Sequence, residues 1–114
     1  MSLVIYHNPR CSKSRQTLEL LKENGHDPEI IEYLKTPLNK GQIFGILSKL
    51  ERPAKDIIRV KEEEFKGRNV DLEDKESIAD AIVAVPKLME RPIVVNDDKA
   101  AIGRPPESVL EILK

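Results

Sequence analysis

The sequence predicts an α/β fold in one domain over residues 1–114: a small mixed sheet flanked by helices, with a helical insertion at about 38–88 between a βαβ half and a ββα half. Three observations carry this expectation. Leu3-Val4-Ile5-Tyr6 is short, aliphatic and β-favouring, and a turn then leads into helix-spaced leucines. Pro92-Ile93-Val94-Val95 and the segment from Lys99 to Ile102 flank a polar Asn96-Asp97-Asp98 turn, as in a hairpin. Between these two halves the apolar residues keep helical spacing. A chain of 114 residues suits one compact domain and leaves little room for a second.

The first strand ends at His7-Asn8-Pro9, where proline biases its predecessor away from helix. From Ser12, Thr17, Leu18, Leu20 and Leu21 recur at helical spacing, with Glu19, Lys22 and Glu23 opposite, until Asn24-Gly25 stops the helix. Glu29 to Leu34 reads as a second strand around Ile30, Ile31 and Tyr33, which completes a βαβ unit with parallel strands. Ile43, Ile46, Leu47 and Leu50 share one helical face, and Ala54, Ile57 and Ile58 form a shorter helical stretch leading to Arg59. Lys61 to Gly67 is highly charged and reads as a solvated connection in which Phe65 needs cover. Glu76-Ser77 opens a helix with Ile78, Ala81, Ile82 and Val85, closed by Pro86. After the hairpin, Pro105 and Pro106 begin a final helix with Val109, Leu110, Ile112 and Leu113. The order βα, β, helical insert, α, ββ, α is a thioredoxin-like arrangement with extra helices between its halves.

Composition removes several classes. With 19 basic against 20 acidic side chains the formal charge is -1, so no bulk field favours nucleic acid or an acidic membrane surface. Any anion site must be local. No apolar run approaches the roughly 20 residues a spanning helix needs, and the N-terminus lacks signal-peptide features. A soluble cytoplasmic protein and a monomer are expected. One cysteine builds neither an internal disulfide framework nor, with both histidines added, a structural zinc site.

That cysteine, Cys11, falls at the junction of the first strand and first helix, the end of the sheet where ligands usually sit in α/β folds. A helix start presents unpaired N–H groups and a positive dipole end, which favour thiolate over thiol. Arg10, Lys13 and Arg15 add positive charge, and the Ser14 hydroxyl, one turn on, is expected to reach the sulfur. A lone cysteine is commonly a small buried hydrophobe, but this location with basic flanks matches a reactive thiol. The same loop suits a tetrahedral oxyanion beside the sulfur. Thiolate and oxyanion repel each other, so further cations are needed, and arginine binds oxyanions bidentately without losing its charge. Arg91-Pro92 and Arg104-Pro105 are candidates because proline restricts the residue before it; Arg59 is the third. His7 precedes the loop and is placed to tune the thiolate or to bond structurally. His26, beside Gly25 and Asp27, is expected to be solvated, and Pro92 is expected to follow a cis bond facing the loop.

Asn8-Pro9-Arg10-Cys11-Ser12-Lys13-Ser14-Arg15, followed by Arg91-Pro92-Ile93-Val94-Val95 and Gly103-Arg104-Pro105, resembles the glutaredoxin-dependent arsenate reductase family, the ArsC-like branch of the thioredoxin fold. Ile31 to Pro37 and Ile58-Arg59 fit the family in order and spacing, so the resemblance spans nearly the whole chain. It implies that Cys11 is the nucleophile attacking arsenate, that Arg59, Arg91 and Arg104 bind the oxyanion and later arsenite, and that His7 and Ser14 assist the thiolate. Arg15 follows the family's Ser-Arg pair and joins the substrate-binding set. No bound cofactor is implied; glutathione is the co-substrate and glutaredoxin the partner. Well-known members continue beyond the last helix, which is expected to bear on partner docking more than on catalysis.

Electron counting agrees with this scheme. Reducing arsenate to arsenite takes two electrons, and one thiol only forms the adduct, so the second thiol must come from outside. A phosphatase-like loop needs arginine six residues after its cysteine and further cysteines; here that position is Thr17 and Cys11 is the only cysteine. Two alternatives stand beside the first reading. One is an Spx-like regulator binding RNA polymerase, whose redox switch typically uses Cys-x-x-Cys, a bond that Cys11-Ser12-Lys13-Ser14 cannot close. The other is an ArsC-like thiol oxidoreductase acting on another substrate.

Overall fold

The computed structural model describes residues 3–113. They form two compact units, one from residues 3–36 together with 91–113, the other from Pro37–Glu90.

The discontinuous unit contains β1 (Leu3–His7), α1 (Ser12–Glu23), β2 (Glu29–Glu32), β3 (Ile93–Asn96), β4 (Lys99–Ile102) and a closing 3-10 helix, Pro106–Leu113. The sheet order is β2-β1-β3-β4. β1 runs parallel to β2 with Ile5 opposite Ile30, and antiparallel to β3 with Ile5 opposite Val94. β3 and β4 pair antiparallel, Val94 facing Ala101, so the sheet is mixed, as expected. Ile5, Leu21, Val94, Val109 and Ile112 form a buried core, and Leu18 and Leu20 of α1 pack against it. Burying such side chains contributes roughly 1.5–3 kcal/mol each, which makes α1 stable on the sheet despite its polar outer face.

α1 stops where the sequence places the break. His26 N–H donates to Leu21 C=O (3.0 Å) and Gly25 N–H to Lys22 C=O (3.0 Å), with Gly25 at φ 81. This paired closure needs a left-handed residue, which glycine supplies without steric cost. β2 is shorter than the expected Glu29–Leu34 because Lys35 and Thr36 N–H both turn back to Glu32 C=O at 2.9 Å. β3 starts one residue after Pro92, which has no N–H for the ladder. Asp97, at φ 54, makes the turn, and Asn96 stays in the strand pairing with Lys99. The last helix is of the tighter 3-10 kind throughout.

The contiguous unit holds α2 (Lys40–Leu50), a 3-10 turn at Ala54–Ile57, α3 (Glu63–Lys66), α4 (Lys75–Ala84) and a second 3-10 turn, Pro86–Leu88. Asn39 and Gln42 close a reciprocal capping box on α2, with both hydrogen bonds at 2.8 Å. Asp74 caps α4 through the Glu76 N–H at 3.0 Å. Ile43, Ile46, Leu50, Ile57, Ile78, Ile82 and Leu88 are buried. The stretch Lys61 to Gly67 contains the single turn α3, whose Glu63, Glu64 and Lys66 are exposed while Phe65 is half-buried. Ile58 and Met89 form an antiparallel bridge that helical periodicity did not reveal. No helix among the described residues is long and apolar enough to cross a membrane.

Candidate active site

Cys11 is the N-cap of α1, with extended backbone at φ -96 and ψ 123. It is 9% exposed. Arg15 N–H makes the first helical bond, to Cys11 C=O at 3.0 Å, so the N–H groups of Ser12, Lys13 and Ser14 lie ahead of it as the helix's orphan donors. The loop before the cysteine is internally braced. Cys11 N–H donates to Asn8 C=O (3.0 Å), and Arg10 N–H to Asn8 Oδ1 (3.0 Å). The exposed Arg15 bonds Pro9 C=O through Nη1 at 2.9 Å. Arg15 therefore supports the loop's backbone, a role its charge alone did not indicate.

Ser14 and His7 form the buried floor. Ser14 Oγ accepts from Asn8 N–H at 3.0 Å and lies 2.6 Å from His7 Nδ1. Its hydrogen bonds thus go to Asn8 and His7 rather than to the sulfur, as the spacing had led us to expect. The physical reason is competition: a fully buried hydroxyl bonds the polar groups that would otherwise be orphaned beside it. Ser14 Oγ thus serves both polar neighbours, Asn8 N–H and the His7 ring, at hydrogen-bond distance. Burial pushes His7 below the ordinary imidazole range; Arg15 and Lys22 act in the same direction and Glu32 opposes them.

Positive charge reaches the sulfur from the other end of the chain. Arg104 Nη2 stands 3.5 Å from Cys11 Sγ, and its Nε donates to Arg91 C=O at 2.9 Å. One edge of the guanidinium is anchored on a carbonyl while another faces the thiol, a geometry lysine cannot reproduce. Arg91 is half-buried and supplies the anchoring carbonyl. The Arg91–Pro92 bond is cis, as expected, and so is Arg104–Pro105. Arg59 belongs to the contiguous unit, where Nη1 pairs with Glu62 at 2.6 Å and Nε with Glu90 at 3.7 Å. The guanidinium holds the Glu62 carboxyl below its usual range. His26 is half-buried rather than fully solvated, because its N–H closes α1. Among the described residues no group of three or more His, Cys, Asp or Glu could hold a metal.

Sequence reasoning missed Asn8. The Asn-Pro pair was legible as a turn, yet its backbone and side chain also tie Arg10, Cys11 and Ser14 together. The signal was present, since asparagine commonly bonds backbone two residues on.

A mixed sheet in this order, with a cysteine at the N-cap position of its first helix and cis Pro92 entering β3, defines a thioredoxin-like protein. Residues 6–112 match the model of the ArsC family. The chain is 47% identical over 116 residues to arsenate reductase of Haemophilus influenzae, covering 99% of this chain and 100% of that one. It is 52% identical over 112 residues to the uncharacterized protein YfgD of Escherichia coli, covering 96% of this chain and 94% of that one. Among solved structures, arsenate reductase from Vibrio cholerae superimposes with a TM-score of 0.89 at 43% identity, covering 98% of each chain. The chain belongs to the ArsC family.

Proposed function

We propose that this protein reduces arsenate to arsenite with glutathione and glutaredoxin, through an adduct on Cys11. The observation that carries the reading is the 3.5 Å approach of Arg104 to the Cys11 sulfur at a helix start. Thiolate nucleophile and cationic anion-holder are then adjacent, which is what attack on an oxyanion requires. Arsenate reductases among the relatives, at 47% identity in Haemophilus influenzae, support arsenate as that oxyanion.

In this scheme the Cys11 thiolate displaces water from arsenate to give a sulfur–arsenic(V) bond. Glutathione then attacks; arsenic gains two electrons and leaves as arsenite, and the two sulfurs, each giving up one, join as a mixed disulfide. Glutaredoxin reduces that disulfide and restores Cys11. Arg104 and Arg91 hold the oxyanion, His7 and Ser14 keep the loop in register under the thiolate, and Arg15 serves by bracing the loop. Arg59 is proposed as a further anion-binding side chain, and the whole chain as one functional domain, on the family resemblance. Such chemistry belongs in a compartment where thiols stay reduced, so we place the protein in the cytoplasm.

The test is NADPH oxidation in the presence of glutathione, glutathione reductase and glutaredoxin. Wild type should show arsenate-dependent turnover and Cys11→Ser none. Turnover that ignores arsenate while still requiring Cys11 would move the protein to another oxidised substrate; no thiol-dependent turnover at all would end the enzyme reading.

A further inference from the structure

We propose that Gly103 is the positioning residue for Arg104: its missing side chain lets the chain after β4 close against Thr17 and Pro92, and this closure sets the reach of the guanidinium to the sulfur. The proposal rests on the reading of Cys11 and Arg104 as one anion site. A β-carbon built on Gly103 would lie 2.6 Å from Thr17 Oγ1, 2.7 Å from Pro92 Cγ and 3.1 Å from Thr17 Cγ2. No real β-carbon sits that close, so something must shift. Neither neighbour gives way easily. Thr17 is fully buried, and its hydroxyl donates to Lys13 C=O at 2.8 Å, so turning it aside breaks that hydrogen bond. Pro92 is buried and its ring cannot swing about χ1.

Any side chain at 103 must therefore push the backbone away from Pro92 and α1, by most of an ångström, before contacts return to the ordinary 3.4 Å. Arg104 is the next residue, and the bonds that hold this corner run to the segment just before β3, which the shift would draw away. Gly103 N–H bonds Pro92 C=O at 2.9 Å, and Arg104 Nε bonds Arg91 C=O at 2.9 Å. The Nη2 to Sγ approach is already 3.5 Å, so a displacement of that size carries the guanidinium off the sulfur. Thr17 completes the link from the opposite direction, because it lies on α1, whose first turn begins at Cys11.

The test reads the charge at the sulfur without using arsenate. Cys11 is the only cysteine, so alkylation of the full chain reports on it alone. The rate with anionic iodoacetate divided by that with neutral iodoacetamide measures local positive charge, and Arg104→Ala sets its floor. Gly103→Ala should lower this ratio at least about threefold, toward that floor, since a guanidinium 3.5 Å from the sulfur attracts an incoming anion. Adding Thr17→Ala removes two of the three obstructing atoms, so the new β-carbon can move off Pro92 Cγ into the space they leave and part of the loss should be restored, a recovery that general destabilisation does not produce. A folded Gly103→Ala with the wild-type ratio, or a double variant no better than Gly103→Ala alone, would overturn the proposal. If Gly103→Ala fails to fold, the double variant decides: a ratio near wild type supports the proposal and a ratio at the floor overturns it. An Arg104→Ala ratio equal to wild type would instead remove the anion site itself, and the positioning role with it.

Discussion

Two regions meet at the cysteine loop, and they are built by opposite means. The floor, made by His7 and Ser14, is buried and neutral: 6% and 0% exposed, joined by one 2.6 Å hydrogen bond. The corner after β4 is exposed and cationic, with Arg104 anchored on a neutral backbone carbonyl. Desolvating a guanidinium costs several kcal/mol, so an exposed position suits the anion-holding role proposed for Arg104. Groups that only set loop geometry have no such need and are better desolvated, where hydrogen bonds are stronger and more directional. Arg59 in the contiguous unit shows a third solution, half-buried and matched by Glu62 and Glu90. The lesson is a division of labour: charge on one side, rigidity on the other.

The division can be broken most severely at the residue both regions serve. Cys11→Ser should abolish arsenate-dependent turnover while thermal unfolding stays close to wild type, because serine is nearly isosteric and position 11 keeps some solvent contact. Arg104→Lys should come next. It keeps the charge but loses the fork, so the KM for arsenate should rise at least about tenfold, or ~1.4 kcal/mol, with urea stability within about 0.5 kcal/mol of wild type. Unchanged arsenate affinity would put the anion elsewhere. A large loss of stability would mean that the exposed corner is structural after all.

How far these regions were readable beforehand follows the same line. The sheet and α1 were legible because their periodicity is local: Ile5, Leu21 and Val94 mark core faces by spacing, and Asn24-Gly25 marks a stop. Arg104 was legible as a candidate because of its Gly-Arg-Pro setting, but its anchor on the Arg91 carbonyl depends on an approach between segments distant in sequence. Ser14 was expected to reach the sulfur, and its hydroxyl bonds Asn8 and His7 instead. One-turn spacing from Cys11 says that a hydroxyl is near, not which of several polar groups it satisfies. Gly103 and Thr17 were invisible as a pair, since no local pattern records that two backbones touch. The same holds for the bridge between Ile58 and Met89.

On the floor, effects should be smaller and fall on stability. Ser14→Ala leaves Asn8 N–H and His7 Nδ1 buried without their partner, at a cost of about 1–3 kcal/mol in urea unfolding. A loss near zero would show that the floor is not what stiffens the loop.

The subtlest effect is on pH dependence, through His7. Its imidazole titrates below the ordinary range because burial disfavours the charged form, aided by Arg15 and Lys22. Above the ordinary value of about 6.5, both folded and unfolded states are neutral at this residue, and it contributes no pH dependence. As pH falls from there, the unfolded chain takes up the proton first, so wild-type stability declines until the lower folded value is passed and then levels off. His7→Asn should be less stable at pH 8 but should lack this decline, so the two curves converge as pH falls through and below about 6.5. The half-buried His26 is common to both proteins, and the difference isolates His7. Parallel curves would mean that the floor tolerates a charge, and the contrast between the neutral and cationic sides of the site would no longer hold.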